Sequence, residues 1–231
     1  MLLTLKSIEV VLGGIPFKMS TFHVKHSFPN LEEIGDEVYV YKGFLSKEEV
    51  SKYLKIILDQ KEWLDGAQFG KATIETFSNQ VFGDILKKIQ DNIALENMFL
   101  EFTPSVTKIK NGKGMEEHSD DCPYCWKERN PKINIQDHES KRCVLYGIVV
   151  YFSEFTGGEI YYPQQSVSFK PGPGDLVMHS TKRYCEHGVK PVIDGTRYSI
   201  APYIVQYHSE SDAQKRHDFW NSYPDSLKVV D

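Results

Sequence analysis

The spacing of apolar positions divides the chain into a helical first part and a strand-rich second part. EVYVYKGF (37–44) alternates apolar and polar side chains and reads as a strand. Ser46-Lys47-Glu48-Glu49 follows, with a hydroxyl at the N-cap and a carboxylate three positions on, which is a capping box opening a helix. Val50, Tyr53, Leu54, Ile57 and Leu58 then recur at helical spacing to about residue 60. A second helix is predicted over about 79–95, on the stripe Val81, Ile85, Ile89 and Ile93. From about residue 98 to 207 the pattern changes to short β-branched and aromatic runs: FLEFTPSVTKIK, RCVLYGIVVYF, EIYYP, SVSFK, DLVMHS and RYSIAPYIVQY. Gly, Pro, Asn and Asp separate them, as in a sandwich or barrel. Helices first and strands after predict an α+β, mainly β fold with helices bracing one face of the β-core.

Length and composition add bounds. At 231 residues a single domain is expected: an N-terminal arm or strand over 1–36, a core over 37–207 and a polar tail over 208–231. The 40% hydrophobic and 26% charged fractions, with 13 Tyr, 13 Phe and 3 Trp, are those of a globular chain rather than a disordered one. The net charge of −5 and the lack of a Lys/Arg run argue against nucleic acid as the partner. The longest apolar runs, such as VLYGIVVYF at 144–152, suit strands, so no membrane span is expected. Lys6 and Glu9 interrupt the apolar start, which therefore reads as an arm and not a signal peptide. Four cysteines in a chain of this length do not make a disulfide scaffold, and the default compartment is the reducing cytoplasm.

The candidate chemistry begins at MEEHSDDCPYC, residues 115–125. On a strand, His118 and Asp120 would point the same way and converge on one point, whereas Asp121 would point away. Downstream, TKRYCEHGVKPVIDGTRYSI carries His187, a turn at Asp194-Gly195, and Arg197 and Ser199 sharing one face of the next strand. Two histidines and one carboxylate on a rigid β-scaffold are the ligand set of the facial triad of non-haem Fe(II) oxygenases, which leaves coordination positions open for reactants. A bidentate 2-oxo acid has a distal carboxylate that calls for a buried guanidinium.

Taken together, these blocks resemble the Fe(II)- and 2-oxoglutarate-dependent dioxygenases, in their prolyl 4-hydroxylase-like branch. VVYFSEFTGGEIYYP is similar to that branch's strand, Gly-Gly-Glu turn and following strand. SFKPGPGDLVMHS resembles its P-x-x-G-D turn, HGVKPVIDGTRYSI its distal histidine block, and FLSKEEVSKYL its opening helix. The resemblance spans roughly residues 37–207 and implies a double-stranded β-helix, a jelly-roll barrel. It further implies iron bound by His118, Asp120 and His187, these three also being the catalytic centre. Arg197 would bind 2-oxoglutarate, helped by Tyr151 and Ser199. Dioxygen would be the oxidant and ascorbate an auxiliary reductant. The reaction implied is hydroxylation of a C–H bond, with 2-oxoglutarate oxidised to succinate and CO2.

The implied substrate is a peptide or protein, with proline favoured. Two departures bear on it: Ile109 stands where many members carry a Tyr, and the Arg- and Ser-rich segment that precedes the second helix in many prolyl hydroxylases is missing. Hydroxylation of another side chain or of a small metabolite is one alternative, and a catalytically silent jelly-roll binding module is another. Cys122, Cys125, His138 and Cys143 approximate a structural zinc pattern, the other reading being a loop with two exposed thiols and a core cysteine. The stretch 121–142 is read as a lid, a zinc loop or a disordered segment. His179 stands where the family has an aromatic residue and reads chiefly as pocket lining. Of Tyr161 and Tyr162, alternation predicts that only one faces inward.

Overall fold

The computed structural model describes residues 31–61, 63–65, 75–76, 82–94, 99–101, 106–120 and 142–207, together with the short strand segments 9–12, 15–18 and 23–24. Two strands open the core, β1 (Leu31–Gly35) and β2 (Val38–Tyr41), and are followed by helix α1 (Lys47–Asp59) and helix α2 (Phe82–Asn92). The strands after the helices are β3 (Phe99–Glu101), β4 (Val106–Lys110), β5 (Met115–His118), β6 (Arg142–Tyr151) and β7 (Phe155–Gly157). Then come β8 (Ile160–Tyr162), β9 (Val167–Phe169), β10 (Leu176–Ser180), β11 (His187–Val189), β12 (Val192–Ile200) and β13 (Tyr203–Tyr207).

The strands form a major sheet in the order β1-β2-β10-β6-β12-β4, with β13 on β6 and β3 on β13, and a minor sheet in the order β5-β11-β8-β9. All pairings between these strands are antiparallel. The two sheets enclose one apolar interior of Val38, Val40, Ile109, Tyr151, Ile160, Tyr162, Val177, Val189 and Val192. A second apolar cluster joins the outer face of the major sheet to the helices, through Tyr53, Ile57, Ile85, Ile89, Ile148, Val150, Leu176 and Met178. Successive strand residues serve opposite faces, so β6 and β10 are covered on both sides and their sequences run almost continuously apolar. This is the double-stranded β-helix braced by helices that the sequence predicts.

The capping box forms as expected. Ser46 Oγ accepts from the Glu49 amide at 3.2 Å, and a Glu49 carboxylate oxygen accepts from the Ser46 amide at 2.7 Å. Glu49 also meets Lys88 Nζ at 2.7 Å, which ties α1 to α2. Val50, Tyr53 and Ile57 are buried along α1, but Leu58 is 61% exposed and lies off the stripe. The second helix is shorter than predicted. It ends at Asn92, and Ile93 enters a two-residue strand paired with His23–Val24. Helical spacing of the isoleucines continues through Ile93, so spacing alone carried the prediction too far. The sheet also begins earlier than residue 37, because β1 pairs with β2. Glu32 and Glu33 stand on β1 at an edge of the described sheet, where charged side chains discourage further pairing. No described helix is long and apolar enough to cross a membrane.

Candidate active site

The minor sheet brings the first and last candidate ligands together by register. His118 at the end of β5 is the direct cross-strand partner of His187 at the start of β11. Their rings lie 4.5 Å apart, centroid to centroid. Asp120, two residues beyond His118, turns its carboxylate between them, with Oδ1 3.8 Å from His118 Nε2 and Oδ2 3.9 Å from His187 Nε2. One ligand atom from each of the three residues lies within 4.8 Å of the others.

Both imidazoles are held from behind. His118 Nδ1 faces the Glu116 carbonyl at 2.9 Å, and His187 Nδ1 faces the Cys185 carbonyl at 3.1 Å. A carbonyl only accepts, so each Nδ1 carries the proton and each Nε2 presents its lone pair towards Asp120. Burial pushes the His187 imidazole down to about 3, and neighbouring His179 pushes it the same way, so this ring is neutral at physiological pH. Burial alone would raise the Asp120 carboxyl, but the hydrogen bond from His179 outweighs it and holds the group well below the usual carboxylate range. The result is an anion and two imidazole lone pairs facing one point, the donor set of a divalent metal site.

Across the interior, Arg197 on β12 is only 3% exposed. Its Nη1 donates to Ser199 Oγ and its Nη2 to the Tyr151 hydroxyl, each at 3.2 Å. The guanidinium carbon sits 4.8 Å from the Tyr151 ring centroid, a cation–π contact. Register explains the grouping: Tyr151 is the cross-strand partner of Ser199, and Ile109 that of Arg197. Arg197 Nε is buried and unbonded, and among the described residues no carboxylate pairs with this guanidinium. A buried cation without an anion is costly, so the arrangement is built for an anionic ligand. Tyr162 lies between the two ends. Its hydroxyl is raised well above its ordinary value by burial and feels both Asp120 and Arg197.

Residues 104–205 match the model of the 2OG-Fe(II) oxygenase superfamily, and this stretch contains the whole site. This segment belongs to that superfamily. No curated protein matches the chain by sequence. Among solved structures, a viral collagen prolyl hydroxylase from Paramecium Bursaria Chlorella virus-1, in its 2OG complex, is 18% identical with a TM-score of 0.54; the match covers 74% of this chain and 97% of that one. A Pseudomonas putida prolyl-4-hydroxylase is 15% identical with a TM-score of 0.51, covering 74% of this chain and 92% of that one. The fold of the oxygenase segment is therefore the one those prolyl hydroxylases have.

The predicted site residues of the oxygenase segment fall into two described groups, His118, Asp120 and His187 at one end and Arg197, Tyr151 and Ser199 deeper in the barrel. Cys122, Cys125 and His138 lie outside the described residues, as does the side chain of Cys143. The lid reading of 121–142 falls on residues whose structure is likewise outside the description, apart from Arg142 opening β6. Alternation on β8 holds, with Tyr162 fully buried and Tyr161 half-buried. Lys108 Nζ stands 4.3 Å over the Trp63 ring, a cation–π contact.

Two roles are not legible in the sequence, where His179 reads chiefly as pocket lining and Gly147 is not singled out. His179 is 1% exposed and its Nε2 donates to Asp120 Oδ2 at 3.1 Å. Gly147 is its cross-strand partner, and a Cβ there would lie 2.5 Å from Asp120 Oδ2 and 2.7 Å from His179 Nε2. A lone His in an apolar strand and a Gly mid-strand are weak signals separately. Only the β6–β10 register makes them one feature.

Proposed function

We propose that the protein is an Fe(II)- and 2-oxoglutarate-dependent hydroxylase, with His118, Asp120 and His187 holding the metal and Arg197 the distal carboxylate of 2-oxoglutarate. The observation that carries this reading is the pairing of a two-histidine, one-carboxylate cluster with a buried, carboxylate-free guanidinium in one barrel interior. Both groups fit their residues: the Nε2 lone pairs are pre-aimed, and Arg197 has donor capacity left at Nε. With iron bound, such a site supplies oxidative decarboxylation of the 2-oxo acid coupled to hydroxylation of a C–H bond.

The chain's own residues do the rest. The Glu116 and Cys185 carbonyls hold the imidazoles in one tautomer. Tyr151 and Ser199 hold the Arg197 fork in place, so that the carboxylate end of the co-substrate fixes its 2-oxo end by rigid-body geometry. The apolar residues around Arg197, among them Ile109 and Tyr151, exclude water and strengthen the charge pairing.

For the substrate we favour a proline-bearing peptide or protein. The resemblance of the motif blocks and the fold common to a collagen prolyl hydroxylase and a prolyl-4-hydroxylase support this. The test is to supply iron, ascorbate and 2-oxoglutarate with proline-rich peptides, measure succinate, and weigh the products. Succinate release with a gain of one oxygen atom on proline is the expected result. Oxygen gained on another side chain or on a small metabolite would replace the prolyl assignment. Iron-independent behaviour with no succinate under any condition would leave only a binding module.

A further inference from the structure

The hydrogen bond between His179 and Asp120 belongs to a longer buried chain. The Tyr162 hydroxyl, fully buried, lies 3.0 Å from His179 Nδ1, and His179 Nε2 lies 3.1 Å from Asp120 Oδ2. The directions follow from the inventory of donors and acceptors. An ionised carboxylate only accepts, so Nε2 must donate to it; Nδ1 is then the acceptor for the Tyr162 hydroxyl. Every polar atom in the chain has a partner, although it runs through an interior otherwise lined by Val38, Val40, Val177 and Val189. A polar chain placed there is costly unless it is complete, and completeness makes it rigid.

We infer that His179 is a positioning residue, which pins the Asp120 carboxylate for metal binding and is itself oriented by Tyr162. Three further facts support the role. His179 packs against His187 with ring centroids 4.1 Å apart, so the same ring limits the motion of a second ligand. The β6–β10 register sets His179 opposite Gly147, the one residue type that leaves room for the His179–Asp120 contact. The ring does not compete for the metal, since its Nε2 is occupied by the carboxylate and its Nδ1 by the phenol. Partners of this kind behind a ligand are typically worth about 10–100-fold in metal affinity.

This inference rests on the proposed metal site, and the experiment separates the two. The full-length protein is titrated anaerobically with Co(II), and its thermal melt is recorded in parallel. Wild type is expected to bind one equivalent, and His118→Ala to lose that binding. If wild type binds none, or if His118→Ala binds as well as wild type, the metal site itself is wrong. With the site established, His179→Phe, which keeps a flat ring but has no donor, is expected to bind about 10–100-fold more weakly. His179→Gln, whose amide restores an N–H at the position of Nε2, is expected to recover most of that loss. Tyr162→Phe, which removes one oxygen and no bulk, is expected to weaken binding several-fold. Unchanged affinity in a folded His179→Phe overturns the inference. So does a loss in His179→Gln as large as that in His179→Phe, because the imidazole itself would then be what matters. Should His179→Phe fail to melt cooperatively, Tyr162→Phe decides, and wild-type affinity there overturns the inference.

Discussion

Single residues set the chemistry by what stands behind them. The two imidazoles present Nε2 because backbone carbonyls occupy Nδ1, and Asp120 stays anionic because His179 Nε2 and the Tyr203 hydroxyl donate to it. Substituting His187 by Ala is expected to abolish succinate formation while the protein still melts cooperatively, since the interior around it remains closed by Val189 and Tyr162. Replacing Arg197 by Ala is expected to raise the 2-oxoglutarate requirement by about tenfold or more, from the loss of charge-assisted hydrogen bonds of about 1.5–3 kcal/mol; steady-state kinetics at varied 2-oxoglutarate checks this. Gly147→Ala is expected to weaken metal binding, because its Cβ would press on Asp120 Oδ2 and His179 Nε2, and to cost about 1–3 kcal/mol of stability from overpacking. His118, Asp120, His187 and Arg197 were legible because their spacing and order resemble a family's blocks. His179 and Gly147 were not, because their meaning lies in a cross-strand contact that no local spacing encodes.

Elements place those residues. Strands β5 and β11 align His118 with His187, and β6 and β12 align Tyr151 with Ser199. Helices α1 and α2 cover the far face of the major sheet, which allows β6 and β10 to be apolar on both sides. The Ser46 cap is a test at this scale: Ser46→Ala is expected to cost about 1 kcal/mol, read as a lower Tm, with the site chemistry unchanged. α1 was legible in its bounds, though not in Leu58, because a cap and a buried stripe agree with one another. β1 was legible only within an arm or strand over 1–36, because the charges of an edge strand blur its bounds. The end of α2 was misjudged because Ile93 keeps the helical spacing while its backbone pairs with another segment.

At the scale of the whole molecule, a polar knot joins the β1–β2 turn to the segment that leads into His187. Glu37 accepts from Lys182 Nζ at 2.7 Å and from the Tyr184 hydroxyl at 2.6 Å. Burial would raise this carboxyl, but those two hydrogen bonds outweigh it and lower it below its ordinary value of 4.5. A carboxyl lowered on folding stabilises the native state above its ordinary value, and that contribution is lost as pH falls through the folded value. Wild type is therefore expected to exceed Glu37→Gln in stability near neutrality, with the gap closing below about pH 4.5 in denaturant titrations. In the proposed function one barrel holds a metal at one end and a carboxylate at the other. Anaerobic titration of the full chain with 2-oxoglutarate, with and without Fe(II), tests that most directly. The prediction is 2-oxoglutarate binding that requires the metal and that weakens strongly in Arg197→Ala. Binding indifferent to both the metal and Arg197 would contradict it.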